Sequence, residues 1–496
     1  MATAFYGLHI AKTGLYASQK GLEIVGNNIA NVNTEGYTRQ QLNVSSLKPP
    51  GASGTLLGIE KAMVGAGVRV ESIKQCRDKY LDIQYRQGNS DMGEWQIKAD
   101  SLFTVEDVFN DTSNAELEDV LGLFFSSLEE LSKSPEGAEI RTLVRQHAIV
   151  LTETMNNYSN RLERLQNELN DNISVVVGQI NSLITSIHDF NNQILKYERN
   201  GDNANELRDK RNTALDNLSN LIGISYSENS AGVVTVTIGE NNVCVVDESG
   251  EHSLSAEKIM PDYFGNSDSF YAVLLPTGAV AQISDIGGGA LKGYFDMRDG
   301  DNLANIGVPY FIKKLDDLTA AIVETVNEVH NQGYTYPSSE NGEISKNGVD
   351  FFNPENISAK TMSLSNELIE SIFNIAASSV EITGDFHKGN GQNALKMLDI
   401  LEKEDIAVIS NIHQHLKSII SDIAVQTSYS NGRVDNENIL LSSISYKKSC
   451  VSGVSTDEEI TNMVMFQKAY SASARLITAI DEQLDTLINR MGIVGR

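Results

Sequence analysis

The segment MVMFQKAYSASARLITAIDEQLDTLINRM, residues 463–491, carries apolar or small side chains at alternating spacings of three and four residues. These side chains are Met463, Phe466, Tyr470, Ser473, Ile477, Ile480, Leu484, Leu487 and Met491. A thinner stripe of the same period begins the chain and consists of Leu8, Ala11, Leu15, Ser18, Leu22, Val25, Ile29 and Val32. Such a repeat keeps one side of a helix against one partner, as in a coiled coil. We expect the two ends to pair with each other or with a neighbouring subunit; ordinary amphipathic helices of a globular core are the alternative.

The N-terminal stripe runs into the segment NNIANVNTEGYTRQ, residues 27–40. Asparagine and glycine favour turn and left-handed conformations and weaken helices, so the first helix should end between Asn31 and Asn33.

This Asn-rich segment resembles the N-terminal signature of the flagellar axial proteins, which are the rod, hook and hook-associated subunits of the bacterial flagellum. The segments SGVSTDEE (452–459), FQKAYSASAR (466–475) and LDTLIN (484–489) are similar to the hook-associated members found where the hook meets the filament. The resemblance is close near residues 1–45 and 447–496 and loose between them.

The resemblance implies a structural subunit that forms the junction between hook and filament and assembles through its terminal helices. Implied partners are further copies of the chain, the hook subunit, the next hook-associated junction protein and an export chaperone on the C-terminal helix. Family members are extracellular and leave through the flagellar type III system with an uncleaved N-terminus. A hook or rod subunit is the near alternative; a coiled-coil adhesion or display protein and an enzyme carried on a flagellar scaffold are more distant ones.

The apolar periodicity and the resemblance to the flagellar axial proteins together predict an assembly interface at each end of the chain. Its N-terminal residues are Leu8, Leu15, Leu22, Val25, Asn27, Asn28, Ile29, Asn31, Asn33, Thr34, Gly36 and Tyr37. Its C-terminal residues are Met463, Phe466, Gln467, Tyr470, Ile477, Ile480, Leu484 and Leu487.

The composition argues against several classes of function, independently of the family resemblance. The 496 residues carry a formal net charge of −27, which argues against nucleic-acid binding because that needs clustered Lys and Arg. No run approaches eighteen consecutive apolar residues, so we expect no membrane span. The first seven residues lack the basic start and apolar core of a cleaved secretory signal.

The spacing of the cysteines and histidines does not match known catalytic or metal-binding motifs. Cys76, Cys244 and Cys450 are odd in number and widely spaced, which fits neither a disulfide framework nor a zinc motif. His413 and His415 are two positions apart on a predicted helix, whereas zinc-binding helices use a spacing of four. No nucleophile motif or paired acid and base is evident, so we predict no enzyme activity, no cofactor and no metal site.

The predicted fold class is mainly α with β-rich insertions. We expect an elongated multi-domain rod with paired terminal coiled-coil helices, a long helical bundle and small outer β domains. Residues 1–45 and 455–496 would form the terminal assembly domain, and 46–223, 291–333 and 393–454 the helical rod. Residues 224–290 would form a β-rich inserted domain, and 334–392 a second small insertion whose fold the sequence does not indicate.

The longest predicted helix runs from Glu136 to Arg199, with an apolar stripe from Leu151 to Tyr197. One additional four-residue step between Leu169 and Ile173 interrupts the alternation, a stutter that unwinds a supercoil locally. Glycine-rich Gly287 to Gly293 is predicted to be a flexible return to the rod, and helices are predicted at 394–425 and 439–451.

Overall fold

The computed structural model describes residues 2–47, 65–109, 117–199, 201, 203–262, 269–338, 344–355, 357–383, 385–401, 409, 411–486 and 488. Leu487 and Met491, both named from the sequence, lie outside these residues.

Helices make up most of the described chain, as the sequence predicted. Their bounds are α1 Ala2–Ala30, α2 Lys79–Phe109, α3 Leu117–Lys133, α4 Ala138–Glu198, α5 Asn205–Leu221, α6 Ile283–Ile286, α7 Gly289–Asp299, α8 Val308–Asn331, α9 Asn366–Glu370, α10 Gln392–Leu398, α11 Ile412–Ser452 and α12 Thr456–Asp485.

The strands form small antiparallel sheets. Their bounds are β1 Gln40–Ser46, β2 Val68–Gln75, β3 Ile224–Glu228, β4 Val234–Ile238, β5 Val243–Val246, β6 Ser255–Met260, β7 Phe270–Leu274, β8 Asp301–Asn302 and β9 Asn305–Ile306. In the described residues β1 pairs with β2, β6 with β7 and β8 with β9, and β3, β4 and β5 form a three-stranded sheet in that order.

The chain divides into two compact units. Unit 1 consists of Met1–Ser90, Ile180–Ser253 and Glu437–Arg496, and unit 2 of Asp91–Gln179 and Leu254–Asn436. The division at 253/254 falls inside the insertion predicted at 224–290, and the four-part domain scheme stays a prediction.

Unit 2 has a continuous apolar core. It includes one face of α3, where Phe124, Leu128 and Leu131 are fully buried. Along α4 the predicted stripe is buried from Leu151 to Ile180 and again at Ile187 and Ile194, with one local shift, where Ile184 is buried in place of Leu183. Beyond that shift the predicted stripe is wrong at Tyr197, whose side chain is 62% exposed.

Two polar side chains of α8 attach the irregular segment after it. The Asn327 amide donates to the Phe352 carbonyl (2.9 Å) and accepts from the Phe351 and Phe352 N–H groups. The fully buried His330 ring donates from Nδ1 to the Val349 carbonyl (2.6 Å) and accepts at Nε2 from the Ala376 N–H (2.8 Å). Burial lowers the pKa of His330 to about 4, so the ring is neutral at physiological pH.

The pH dependence of unit 2 stability is expected to change when Asp316 of α8 becomes asparagine. Burial raises the pKa of Asp316 to about 6, although the Ala359 N–H donates to its carboxylate (2.7 Å). The ordinary value is 3.8, so the folded state binds the proton more tightly and unfolding becomes easier as pH rises from about 4 to 6. Asp316→Asn keeps an acceptor for Ala359 without the charge. Its melting temperature should exceed the parent's by a few degrees at pH 7.5 and match it at pH 4.

The comparison isolates Asp316 because buried His330 contributes equally to both proteins. His330 acts in the opposite direction, since its lowered pKa removes stability as pH falls from about 6.5 to 4. An equal difference in melting temperature at both pH values would contradict the assignment to Asp316.

Two further predictions from the sequence are corrected. A single helix, α11, runs through 426–438, where a break was predicted. Gly289–Asp299 is helical and not a flexible return, and the Glu94 carbonyl would lie 2.7 Å from a Cβ at Gly293. Helix α8 begins at Val308, directly after the β8–β9 hairpin, and has proline in its first turn.

Candidate assembly site at the paired terminal helices

Helices α1 and α12 pack against each other within unit 1, running in opposite directions. Three points of close approach fix their register: Gly7 faces Ile480, Gly14 faces Ser473 and Gly21 faces Phe466. Each step of seven residues along α1 matches seven residues back along α12, which is the periodicity of a coiled coil. The predicted pairing of the two ends within one chain is therefore present.

The two helices can approach this closely because the α1 residues at the contact points are glycines, which have no Cβ. A Cβ added at Gly21 would lie 2.7 Å from two ring carbons of Phe466, and one at Gly14 would lie 3.1 Å from the Ser473 hydroxyl. At Gly7 the corresponding distance to Ile480 is 3.3 Å. Because glycine costs about 0.5–1 kcal/mol relative to alanine inside a helix, α1 depends on its partner more than an ordinary helix does.

The leucines nominated on α1 flank this contact. Leu8, Leu15 and Leu22 each follow one of the close-approach glycines by one residue. These leucines and Ile29 are half-buried, whereas Val25 is buried. The sequence interpretation followed large apolar side chains and missed the glycines. The signal available was the seven-residue recurrence of Gly7, Gly14 and Gly21.

On α12 the nominated positions form one face, which we call the inner stripe. Ile480 is buried, and Met463, Phe466, Ser473, Ile477 and Leu484 are half-buried. Tyr470 lies on the same face with 38% of its side chain exposed, and Gln467 is exposed beside it.

A second apolar stripe on α12 is exposed. It consists of Met465, Ala469, Ala472, Leu476 and Ala479, with the same alternation of four and three residues as the inner stripe. The two largest side chains of this outer stripe, Met465 and Leu476, are 54% and 46% exposed. Helical geometry places the outer stripe roughly 100° around the helix from the inner one.

The next seven-residue step after Gly21 reaches Asn28, which is 1% exposed and faces Glu459. Its Nδ2 donates to Glu459 Oε2 (3.0 Å) and to the Gln40 carbonyl (2.9 Å). Its Oδ1 accepts from the Tyr37 hydroxyl (2.7 Å) and the Gln40 N–H (3.0 Å). The amide is therefore fully hydrogen-bonded, and it connects α1, the turn after it and the first turn of α12.

Arg39 adds ion pairs between the turn after α1 and the first turn of α12. The Arg39 guanidinium contacts Glu459 at 2.8 Å and Glu458 at 2.7 Å, and its backbone N–H donates to the Ser452 carbonyl at the end of α11. Glu459 is only 2% exposed, so this ion pair is screened by solvent far less than a surface pair.

The remaining nominated residues of the turn bond locally. Asn31 Nδ2 donates to the carbonyl and the side chain of Asn27, and the Thr34 hydroxyl donates to Asn31. Gly36 has φ +77°, in the left-handed region, and a Cβ there would meet the Thr213 hydroxyl. Asn33 is exposed at the tip of the turn.

Helix α5 anchors the turn from the other side. The buried Asp209 carboxylate accepts from the Thr38 hydroxyl (2.6 Å), the Thr38 N–H (3.1 Å) and Gln75 (2.8 Å). Burial, followed by Asp209 and other nearby acids, raises the pKa of Tyr37 to about 12, so its hydroxyl remains a donor to Asn28. The segment 36–40 thus holds α1, α5 and α12 together.

A family model described as the flagellar hook-associated protein FlgK helical domain matches residues 102–352, just over half of the chain. The chain belongs to the FlgK family of flagellar hook-associated proteins. Two further models match the termini of this FlgK family member. The flagella basal body rod protein model covers residues 8–38, and the flagellar basal body rod FlgEFG protein C-terminal model covers residues 451–491. These are the two segments that the helix pair and the Asn28 contacts bring together.

Curated relatives align with this chain over nearly its full length. The chain is 28% identical over 512 aligned residues to flagellar hook-associated protein 1 of Bacillus subtilis, with 100% of both chains covered. It is 23% identical to the Escherichia coli protein of that name, with 97% of this chain and 98% of that protein covered.

A solved structure of the FlgK family has the same fold. The flagellar hook junction protein FlgK from Burkholderia pseudomallei matches with a TM-score of 0.59 at 12% identity, covering 76% of this chain and 100% of that one. The chain is thus a member of a family of flagellar structural proteins. None of its described helices is long and apolar enough to cross a membrane.

Proposed function

We propose that this chain is a structural subunit of the junction between hook and filament, and that it assembles through its paired terminal helices. Membership of the FlgK family and the full-length relatives named hook-associated protein 1 support the place in the flagellum. The terminal geometry supports the means of assembly.

The outer stripe of α12 is the observation that carries the proposal. One stripe of α12 is covered by α1, and a second stripe of the same period faces solvent in the single chain. A heptad-spaced apolar stripe gains stability by packing into the side chains of another helix, so its exposure indicates a helical partner outside the chain. The partner we propose is the terminal helix pair of a neighbouring copy, which carries a stripe of the same period.

The proposed cellular route follows the family. The chain would be exported through the flagellar type III system without a cleaved signal and would work extracellularly. The hook subunit and the next hook-associated protein would adjoin its ring of copies. Before export, a dedicated chaperone covering the outer stripe would keep α12 from pairing prematurely.

A hook or rod subunit is the second candidate, because the rod-protein models match both termini. A strain lacking the gene separates the two. A junction subunit predicts completed hooks and flagellin released into the medium, whereas loss of a hook or rod subunit stops assembly before the hook is complete.

Charges placed on the two stripes should have different effects. Leu476→Asp puts a carboxylate on the exposed outer stripe, so the purified monomer should keep its helix content and melting temperature. Incorporation should nevertheless fail, because assembly would bury the charge unpaired. Ile480→Asp acts on the buried inner stripe and should loosen the α1–α12 pair in the monomer itself. Circular dichroism and complementation of the deletion strain measure the two effects.

The matched control is Thr478→Asp, an exposed position of the same helix outside both stripes. It should support filament growth. Filament growth with Leu476→Asp would show that assembly does not use the outer stripe. Failure of all three variants would show that a charge anywhere on α12 blocks incorporation, so the effect would not be specific to the outer stripe.

A further inference from the structure

Three potential metal ligands lie together at the end of the β3–β4–β5 sheet, far along the chain from the terminal helices. They are Cys244 on β5, Asp247 just after it and His252 beyond the following turn, and one ligand atom from each lies within 4.8 Å of the others. Asp247 Oδ2 is 3.8 Å from the Cys244 sulfur and 3.4 Å from His252 Nε2.

The backbone fixes the three ligands relative to one another. The Asp247 N–H donates to the Gly250 carbonyl (3.0 Å) and the His252 N–H donates to the Val245 carbonyl (2.8 Å). Asp247 Oδ1 is occupied by the Ser249 N–H, the Ser249 hydroxyl and the Gly250 N–H. These bonds orient the carboxylate and leave Oδ2 directed at the sulfur and the imidazole, as hydrogen bonds around a metal ligand do.

We propose that Cys244, Asp247 and His252 bind a zinc ion, with water in the fourth position. Zinc bonds of about 2.3 Å to sulfur and about 2.0–2.2 Å to nitrogen and oxygen, in a tetrahedron, require ligand atoms about 3.3–3.6 Å apart. The two distances above are within a few tenths of an ångström of that. A thiolate with an imidazole and one carboxylate suits zinc and not calcium or magnesium, which take oxygen ligands.

This proposal replaces the expectation that the chain has no metal site. That expectation rested on the cysteine count and on the His413–His415 spacing, and a mixed set of one cysteine, one aspartate and one histidine matches neither pattern. All three side chains are partly exposed, so an ion can reach them without unfolding the sheet. Without a metal, the same geometry is an ordinary surface contact between Asp247 and His252.

The test uses the full-length protein, stripped with a chelator and titrated with Co²⁺ as a spectroscopic substitute for zinc. We expect one equivalent to produce a thiolate-to-cobalt charge-transfer band together with the intense visible bands of tetrahedral cobalt, and zinc to remove both. Because the thiolate is the binding form, zinc binding should also release protons, which calorimetry in two buffers measures.

The variants decide which residues bind. Cys244→Ser should abolish the charge-transfer band, and His252→Gln and Asp247→Asn should weaken zinc binding at least tenfold; asparagine keeps the acceptor that holds the turn. Cys76→Ser, Cys450→Ser and His413→Gln are matched controls that should bind like the parent. Absence of the band in the parent, or its survival in Cys244→Ser with unchanged circular dichroism, overturns the proposal.

Discussion

Replacing Gly21 with alanine is expected to separate the terminal helices and to stop incorporation into the flagellum, whereas the same replacement at Gly26 should strengthen α1. A Cβ at Gly21 would lie 2.7 Å from the Phe466 ring, but one at Gly26 has nothing within 4 Å. Either the ring leaves the inner stripe or the helices move apart, and both outcomes remove the contact.

The expected changes in the free energy of unfolding follow from two opposing effects. Overpacking typically costs about 1–3 kcal/mol, and exchanging a helical glycine for alanine returns about 0.5–1 kcal/mol. Gly21→Ala should therefore lower the free energy of unfolding of the helix pair, and Gly26→Ala should raise it by about 0.5–1 kcal/mol. Thermal melts followed by circular dichroism measure stability, and filament growth in a deletion strain measures incorporation.

A graded series and a compensating change test the register itself. Gly14→Ala and Gly7→Ala should cost progressively less than Gly21→Ala, because their closest contacts are 3.1 and 3.3 Å. Phe466→Leu should partly rescue Gly21→Ala and show a coupling energy in a double-mutant cycle. Equal melting temperatures for Gly21→Ala and Gly26→Ala would mean that the helices do not meet at these glycines.

Asn28→Ala is expected to cost on the order of 3 kcal/mol, because it leaves buried groups without hydrogen bonds. Glu459 Oε2 and the Gln40 N–H and carbonyl lose partners that solvent does not readily replace, since Asn28 is 1% and Glu459 2% exposed. The turn at 36–40 should detach from α12, and incorporation should fail. Amide exchange at Gln40 and across the first turn of α12 measures the detachment.

The control is Glu35→Ala, which changes an exposed residue of the same turn outside the nominated interface and should leave both stability and incorporation unchanged. Asn28→Asp gives a further test, because it keeps the acceptors for Tyr37 and Gln40 but places a second carboxylate against Glu459. We expect it to be unstable at pH 7 and to recover partly below pH 5, where a protonated carboxyl can donate to Glu459. Full stability of Asn28→Ala would refute the central role of this amide.

Helical periodicity determined much of the fold. The α4 stripe from Leu151 to Ile180 and the inner stripe of α12 could be predicted because burial of one helix face leaves a period near 3.5 in the chain. The end of α1 was also readable, since asparagine and glycine in 27–40 disfavour helix locally. The resemblance of both termini to flagellar axial proteins, and with it the family, rested on these same segments.

Tertiary structure alone decided which surfaces meet. The contact between α1 and α12 lies on glycines, which carry no hydrophobic signal, because close backbone approach depends on the partner's side chain. Asn28 and Glu459 are 431 positions apart, Gly21 and Phe466 likewise lie at opposite ends of the chain, and no local pattern records which residue meets which. Cys244, Asp247 and His252 are near in sequence, but only the turn that fixes their side chains reveals a common site. Local propensity and period are properties of a segment, whereas contact is a property of two segments and of the packing that brings them together.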